Sequence, residues 1–288
     1  MTDIKTNELL DRFPKTRPAL PEVHQKIYDK EYKKTRSSGK DQPTVSKVTS
    51  RLNNWMHDQV AAPSRMGESI LEIGAGTLNH LRFEEKFSQY DIVEPYKYLF
   101  EDNPDAKNIG TIYNDLRSIK GDTGKYDRIF SIAVLEHLTE LSFAVAKSGQ
   151  LLKEKGSFQA GIPSEGGLLW GIAWRMTTGP AYKFRNGVGK QALMDHEHVN
   201  KAKEIIAVVS EFFEDVQIKR FPFNTNDLSV YTYIEAKEPK LEKCAEYESK
   251  YLKKYPNKPA EVVISAELSK EASFKEGKVE NKTNLTKY

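Results

Sequence analysis

The sequence predicts an α/β protein: a mainly parallel sheet of seven strands with helices on both faces, preceded by a helical N-terminal extension. Three observations carry this. Short apolar runs alternate with helical stretches from residue 69 onward, which is the pattern of βαβ units. The runs fall at 69–73, 90–93, 111–113, 128–132, 157–162, 216–221 and 229–234, and the last two follow one another with no helix between them. The first run opens directly into the turn Gly74-Ala75-Gly76, the strand-to-loop transition that lets a backbone pass close to a ligand.

Taken in order, residues 1–23 are polar and carry Pro14, Pro18 and Pro21, which reads as an extended arm. A helix is expected over 22–35, ended by Gly39. A second is expected over 45–60, where Val45, Val48, Leu52, Trp55, Met56 and Val60 recur at helical spacing. Residues 1–64 are therefore an arm with helices that cover the site, and 65–238 are the main domain, with a helix at 198–212 before the last two strands. Beyond Glu238 the chain turns rich in Lys and Glu; a short helix at 240–254 and otherwise poor order are expected for the tail 239–288.

Composition narrows the function classes. Of 288 residues, 38% are hydrophobic and 30% charged, which fits a normal core diluted by polar ends. A net charge of +3 with no concentrated basic stripe argues against nucleic acid and permits an acidic small molecule. With Cys244 as the single cysteine, neither an intrachain disulfide nor a cysteine-based metal site is expected. The first residues lack the apolar stretch of a signal peptide, and no run is long enough to span a membrane, so a cytoplasmic location is expected.

The segment Ser69-Ile70-Leu71-Glu72-Ile73-Gly74-Ala75-Gly76-Thr77-Leu78-Asn79-His80-Leu81 runs from strand through glycine turn toward a helix. A dinucleotide fingerprint would place a third glycine at position 79, which is Asn79. Glu72, two residues before the first glycine, suits a cationic ligand better than a pyrophosphate. Gly-Ala-Gly taken alone also fits a plain tight turn. Glu94 ends the second run 22 residues after Glu72, near the spacing of a ribose-binding acid. Asp115 follows the third run, with Leu116 placed to lie beside an adenine ring. Each acid alone reads as a loop residue, but three at the ends of successive strands point to the ligand edge of an open α/β sheet.

With Val134-Leu135-Glu136-His137-Leu138 after the fourth run, residues 65–165 resemble the class I S-adenosylmethionine-dependent methyltransferases, in the branch that includes quinone-biosynthesis methyltransferases. The resemblance implies a Rossmann-like methyltransferase sheet and S-adenosyl-L-methionine as cofactor. It implies that Glu72, Gly74, Ala75 and Gly76 form the methionine-side loop, that Glu94 binds the ribose, that Asp115 and Leu116 flank the adenine, and that Ile132 and Ala133 meet the methionine end. Many members carry a further glycine where this chain has Leu78.

Methyl transfer needs a nucleophile and methyl held in line, and a general base when the acceptor is a hydroxyl. Base candidates are His137, which alternatively packs at the start of the next helix, and the cluster Asp195-His196-Glu197-His198-Val199-Asn200, which alternatively is a capping turn with Asn200 as cap. His196 and His198 would share a face only on a strand, and with no evident third ligand no metal is expected. Trp170 and Arg175 are read as covering an apolar acceptor with an anionic part, with Tyr32 and Arg36 closing the site from the N-terminal side; packing on the core is the competing reading. The sequence thus favours a small-molecule methyltransferase, with O-methylation of a metabolite, sugar or lipid-linked intermediate. Alternatives are quinone-type methylation, a nicotinamide-dependent oxidoreductase and a cofactor-binding protein without catalysis.

Overall fold

The structure is a computed structural model that describes residues 6–27, 47–63, 65–84, 86–120, 123–165, 189, 191–225 and 227–256. Its elements are α1 (Thr6–Leu10), α2 (Lys47–Ala61), β1 (Ser69–Ile73), β2 (Gln89–Val93), β3 (Ile112–Tyr113), β4 (Tyr126–Ile132), α3 (Leu141–Leu151), β5 (Leu152–Pro163), α4 (Gln191–Glu197), α5 (Ala202–Phe212), β6 (Phe213–Pro222), β7 (Ser229–Pro239) and α6 (Leu241–Lys254). The strands form one seven-stranded sheet in the order β3-β2-β1-β4-β5-β7-β6. Pairings from β3 through β5 are parallel, while β7 runs antiparallel to both β5 and β6. The fold class is the one the sequence predicts: an α/β, mainly parallel Rossmann-like sheet closed at one end by a hairpin.

Strand alternation sends side chains to two cores. From β1, Leu71 and Ile73 join the core under α3, α5 and α6, where Val145, Val208, Phe212 and Cys244 are fully buried. Ile70 points to the opposite face with Tyr90, Phe130 and Val60 of α2. That face also carries a paired polar network. Arg128, 1% exposed, bonds Glu68 (3.0 Å), Glu84 and the Val60 carbonyl (2.7 Å), and His80 bridges Glu84 and His57. Buried charges persist when every one is matched, and here the matching ties α2 to β4 and to the β1–β2 connection.

Several elements differ from expectation. The helix expected after the glycine turn is a single 3-10 turn at Leu81–Phe83, and no α-helix joins β1 to β2 among the described residues. Leu78 sits at φ +63°, a left-handed conformation that interrupts a right-handed helix there. Of the expected helix over 22–35, residues 22–27 are helical and the remainder lies outside the described residues. The N-terminal arm is not merely extended: Leu9, Leu10 and Phe13 are buried in the larger core. Asn200 does not cap α5, whose N-cap is Lys201. The helix expected at 240–254 does form, as α6 (Leu241–Lys254), and Cys244 and Tyr251 bury one of its faces against α3. Among the described residues no helix is long and apolar enough to cross a membrane.

Candidate functional site

Sheet order reverses between β1 and β4, and ligands of open α/β sheets bind in the crevice outside the C-terminal ends of the strands at that point. The chain puts its glycine turn there. Gly74 has φ +76° and donates its N–H to the Val93 carbonyl (2.9 Å), which pins the turn to the end of β2. A Cβ at Gly74 would lie 2.5 Å from a Val134 methyl, so both the backbone angle and the space require glycine. Gly76 has φ +51° with open space where a side chain would stand. Leu78 holds φ +63°, a conformation that favours glycine, while its side chain is 3% exposed in the core. Ala133, just past β4, also has a positive φ (54°), is solvent-exposed, and is held by its N–H to the Gly161 carbonyl (2.7 Å).

Glu94, 2% exposed, turns its carboxylate toward the glycine turn and accepts the Gly76 N–H (2.9 Å) and the Tyr96 N–H (3.0 Å). Burial raises its pKa above the usual carboxylate range, and those two N–H groups oppose the shift. Each of its oxygens keeps a lone pair for a further donor. Asp115 follows β3 and caps the next turn through the N–H groups of Arg117 (2.5 Å) and Ser118 (3.0 Å), with Leu116 buried behind it.

Glu72 departs from the expectation of a charged group facing a ligand. It lies on the same strand face as Ile70, 3% exposed, and accepts the Tyr90 hydroxyl (2.6 Å). Burial pushes its pKa up to about 8, helped by the nearby Glu84 and Glu94, so at neutral pH the carboxyl is mainly protonated. The strand pleat explains this: position 72 is an inward position of a strand buried on both faces.

The second group of candidates gathers where β4 ends. Ligand atoms of Glu136, His137 and His198 all lie within 4.8 Å of one another. The His137 and His198 rings meet edge to face, centroids 4.6 Å apart. His137 donates Nδ1–H to the Glu197 carbonyl (2.9 Å), and His198 bonds Glu165 through Nδ1. Burial, then the neighbouring His198, depress the His137 pKa to about 3, which keeps that ring neutral. Burial also pulls His198 down, but the Glu165 carboxylate outweighs it and the net shift is upward. Glu136 is 2% exposed, and burial pushes its pKa up to about 7. Its Oε2 has no hydrogen-bond partner among the described residues, and neither has Oδ1 of the fully buried Asn200.

His196 stays out of the cluster and bonds the Pro18 carbonyl through Nδ1 (2.7 Å). The i,i+2 pairing of His196 with His198 is thus replaced by a pairing of His198 with His137, a residue 61 positions upstream. Two side chains hold this arrangement: Asn200, which the sequence reading took as a helix cap, and Arg17, to which it gave no role. Asn200 donates to the carbonyls of Leu135 (2.8 Å) and Leu138 (2.7 Å), fixing the turn that carries Glu136 and His137. Arg17 donates to the carbonyls of His137 (2.5 Å), His196 (2.9 Å) and Glu197 (3.1 Å), so the N-terminal arm staples the two histidine-bearing segments together. Glu165 had a readable signal, since it follows the fifth strand as Glu94 follows the second. A groove of about 500 Å³ beside His198 is lined by Arg12, Lys15, Thr16 and Asp195 among others. Tyr32, Arg36, Trp170 and Arg175 lie outside the described residues.

No family model matches the chain, and no curated protein does. Among solved structures it is similar to a SAM-dependent methyltransferase from Thermotoga maritima, described as a possible histamine N-methyltransferase, at 12% identity over 74% of this chain and 97% of that one, TM-score 0.48. It is similar to the N-methyltransferase NodS from Bradyrhizobium japonicum, solved with S-adenosyl-L-homocysteine, at 12% identity over 76% and 100%, TM-score 0.47. It is also similar to a possible exported protein from Bordetella parapertussis, at 14% identity over 81% and 78%, TM-score 0.49. The geometry of the site, not these likenesses, bears the functional reading.

Proposed function

We propose that this chain transfers a methyl group from S-adenosylmethionine to a small molecule, with a hydroxyl oxygen as the acceptor atom. The observation that supports it most is the meeting of the Gly74–Gly76 turn with the Glu94 carboxylate at the switch point of the sheet. In this reading Glu94 uses its remaining lone pairs for the ribose hydroxyls. The free oxygen of Asp115, with Leu116, takes the adenine edge, and the backbone of Ile132 and Ala133 meets the methionine end beside Gly74, Ala75 and Gly76. Glu72 braces the turn from below through Tyr90 instead of touching the ligand.

The nicotinamide alternative is disfavoured on physical grounds. A pyrophosphate is held by the N-terminus of an α-helix, and a 3-10 turn follows these glycines instead. The acceptor belongs beside Glu136, His137 and His198, just past Ala133, where the strand end would present the methyl group. Proximity and alignment there supply most of the rate, at roughly 3–3.5 Å between nucleophile and methyl. Quinone-type methylation remains the second enzymatic reading, resting on the Val134–Leu138 stretch alone.

Calorimetric titration of the chain with S-adenosylhomocysteine and, separately, with NADH tests the cofactor. Saturable binding of the first and none of the second is expected. Glu94→Ala should weaken S-adenosylhomocysteine about tenfold, one lost hydrogen-bonding group being worth roughly 1.5 kcal/mol. Binding of NADH in its place, or a Glu94→Ala variant that binds S-adenosylhomocysteine as tightly as the parent, overturns the assignment.

A further inference from the structure

We infer that Glu136, His137 and His198 form a binding site for a divalent first-row transition cation, the first choice being zinc, with at least one position left open toward the acceptor. This reverses the sequence reading, which expected no metal for want of a third ligand. The inference goes beyond the proposed function and does not need it, because cation binding can be read on the chain with no cofactor present.

Three features support it. Ligand atoms of the two histidines and the carboxylate converge within 4.8 Å of one another. A cation bonded at about 2.1 Å to each holds its donors roughly 3–4 Å apart, so closing by about an ångström completes the set. Second, both imidazoles already have Nδ1 engaged, His137 by the Glu197 carbonyl (2.9 Å) and His198 by the Glu165 carboxylate. That leaves Nε2 of each ring as the nitrogen available to a metal. An outer hydrogen bond of this kind is the usual companion of a metal-bound histidine, fixing its tautomer and ring direction. Third, Glu136 is 2% exposed and its Oε2 accepts nothing among the described residues. A buried carboxylate oxygen without a donor costs free energy that a cation would remove.

Two imidazoles with one carboxylate suit zinc, iron(II), cobalt(II) or manganese, whereas magnesium and calcium prefer oxygen ligands. Three protein ligands leave a coordination position free, which distinguishes a working site from a structural one. A hydroxyl acceptor bound there loses its proton more readily, since a bound cation stabilises the alkoxide. The proton passes to solvent, and in the proposed transfer the oxygen attacks the methyl carbon as the carbon–sulfur bond breaks, its electron pair leaving on the sulfur of S-adenosylhomocysteine.

The test uses the full chain stripped with a chelator and titrated with zinc chloride by calorimetry. One equivalent should bind at micromolar or tighter affinity. Glu136→Gln, His137→Ala and His198→Ala should each weaken it about a hundredfold. Glu165→Gln, which alters the hydrogen bond on the far nitrogen of His198, should weaken it roughly tenfold. Because a core variant can fail to fold, the parent loaded with copper(II) provides a second readout: pulsed electron paramagnetic resonance should show coupling to the remote nitrogens of two imidazoles. No saturable binding, or binding that persists in the folded His137→Ala/His198→Ala double variant, overturns the site. A parallel titration with S-adenosylhomocysteine separates this outcome from failure of the cofactor assignment.

Discussion

The two ends of the candidate crevice are built on opposite plans. At the glycine turn every acid already has a partner that fixes it: Glu94 two backbone N–H groups, Asp115 two more on one oxygen, Glu72 the Tyr90 hydroxyl. Around these fixed acids that end has a set backbone shape, with positive φ at Gly74, Gly76 and Ala133. At the end of β4 the side chains point together, and Glu136 Oε2 and Asn200 Oδ1 have no hydrogen-bond partner among the described residues. A surface shaped by backbone is fixed by folding alone. A cluster with unmatched buried polar atoms stores free energy that a bound ligand can release. The first end should therefore be sensitive to steric change and the second to loss of the scaffolding around it.

The largest effect should follow from burying a carboxyl in the first end. The folded-state pKa of Glu72 is about 8, above its ordinary value of 4.5. The folded chain therefore keeps a proton that the unfolded chain gives up, and stability falls as pH rises from about 4.5 to about 8. Glu72→Gln removes this slope and can still accept the Tyr90 hydroxyl. Urea unfolding should show the variant gaining on the parent by about 3–5 kcal/mol between pH 4 and pH 8. Parallel stability curves across that window would mean that Glu72 is ionised in the folded chain.

Gly74→Ala is the steric counterpart. It combines a left-handed backbone with a Cβ 2.5 Å from Val134, and should cost about 3 kcal/mol in thermal unfolding. The double variant Gly74→Ala/Val134→Ala should recover the overlap part but not the backbone part. If the single variant melts with the parent, the turn is more compliant than the contrast above allows.

At the second end, Asn200→Ala frees the carbonyls of Leu135 and Leu138 and should cost about 2 kcal/mol, with the loss confined to the turn carrying His137. Hydrogen exchange at Glu136–Leu138 reads this directly, and unchanged protection there would deny Asn200 its scaffolding role. The smallest effect is Asp115→Ala, loss of a cap, at about 1 kcal/mol in the same unfolding assay. A variant as stable as the parent would show that the turn after β3 holds itself.

The sheet was legible because the central strands contain short apolar runs, two of them cut off sharply by Gly or by acid and Pro, at Ile73-Gly74 and Val93-Glu94-Pro95. Strand ends were less so. β5 starts at Leu152 instead of 157 because Lys153-Glu154-Lys155 are exposed and look like loop. The connections failed for another reason: apolar spacing over Leu78–Phe83 suits a helix, but only coordinates reveal the left-handed Leu78. Of the site, the glycine turn and the acids after β2 and β3 could be read because they are local to strand ends. The cluster could not. Glu136 and His137 meet His198 and Glu165 only through the packing of α4 and the long path of the chain between β5 and α5. No spacing rule links residues so far apart, and Arg17 reaches the same place from the N-terminal arm.

That reach of Arg17 has a practical side. Its guanidinium ties three carbonyls from two distant stretches of chain into one knot. A protease that trims the polypeptide past Pro18 would cut that knot and also take Leu9, Leu10 and Phe13 out of the larger core, so the imidazoles would loosen as the fold itself loses stability. Affinity handles are therefore better fused at the far terminus, and a preparation of lowered stability should first be checked for its intact mass.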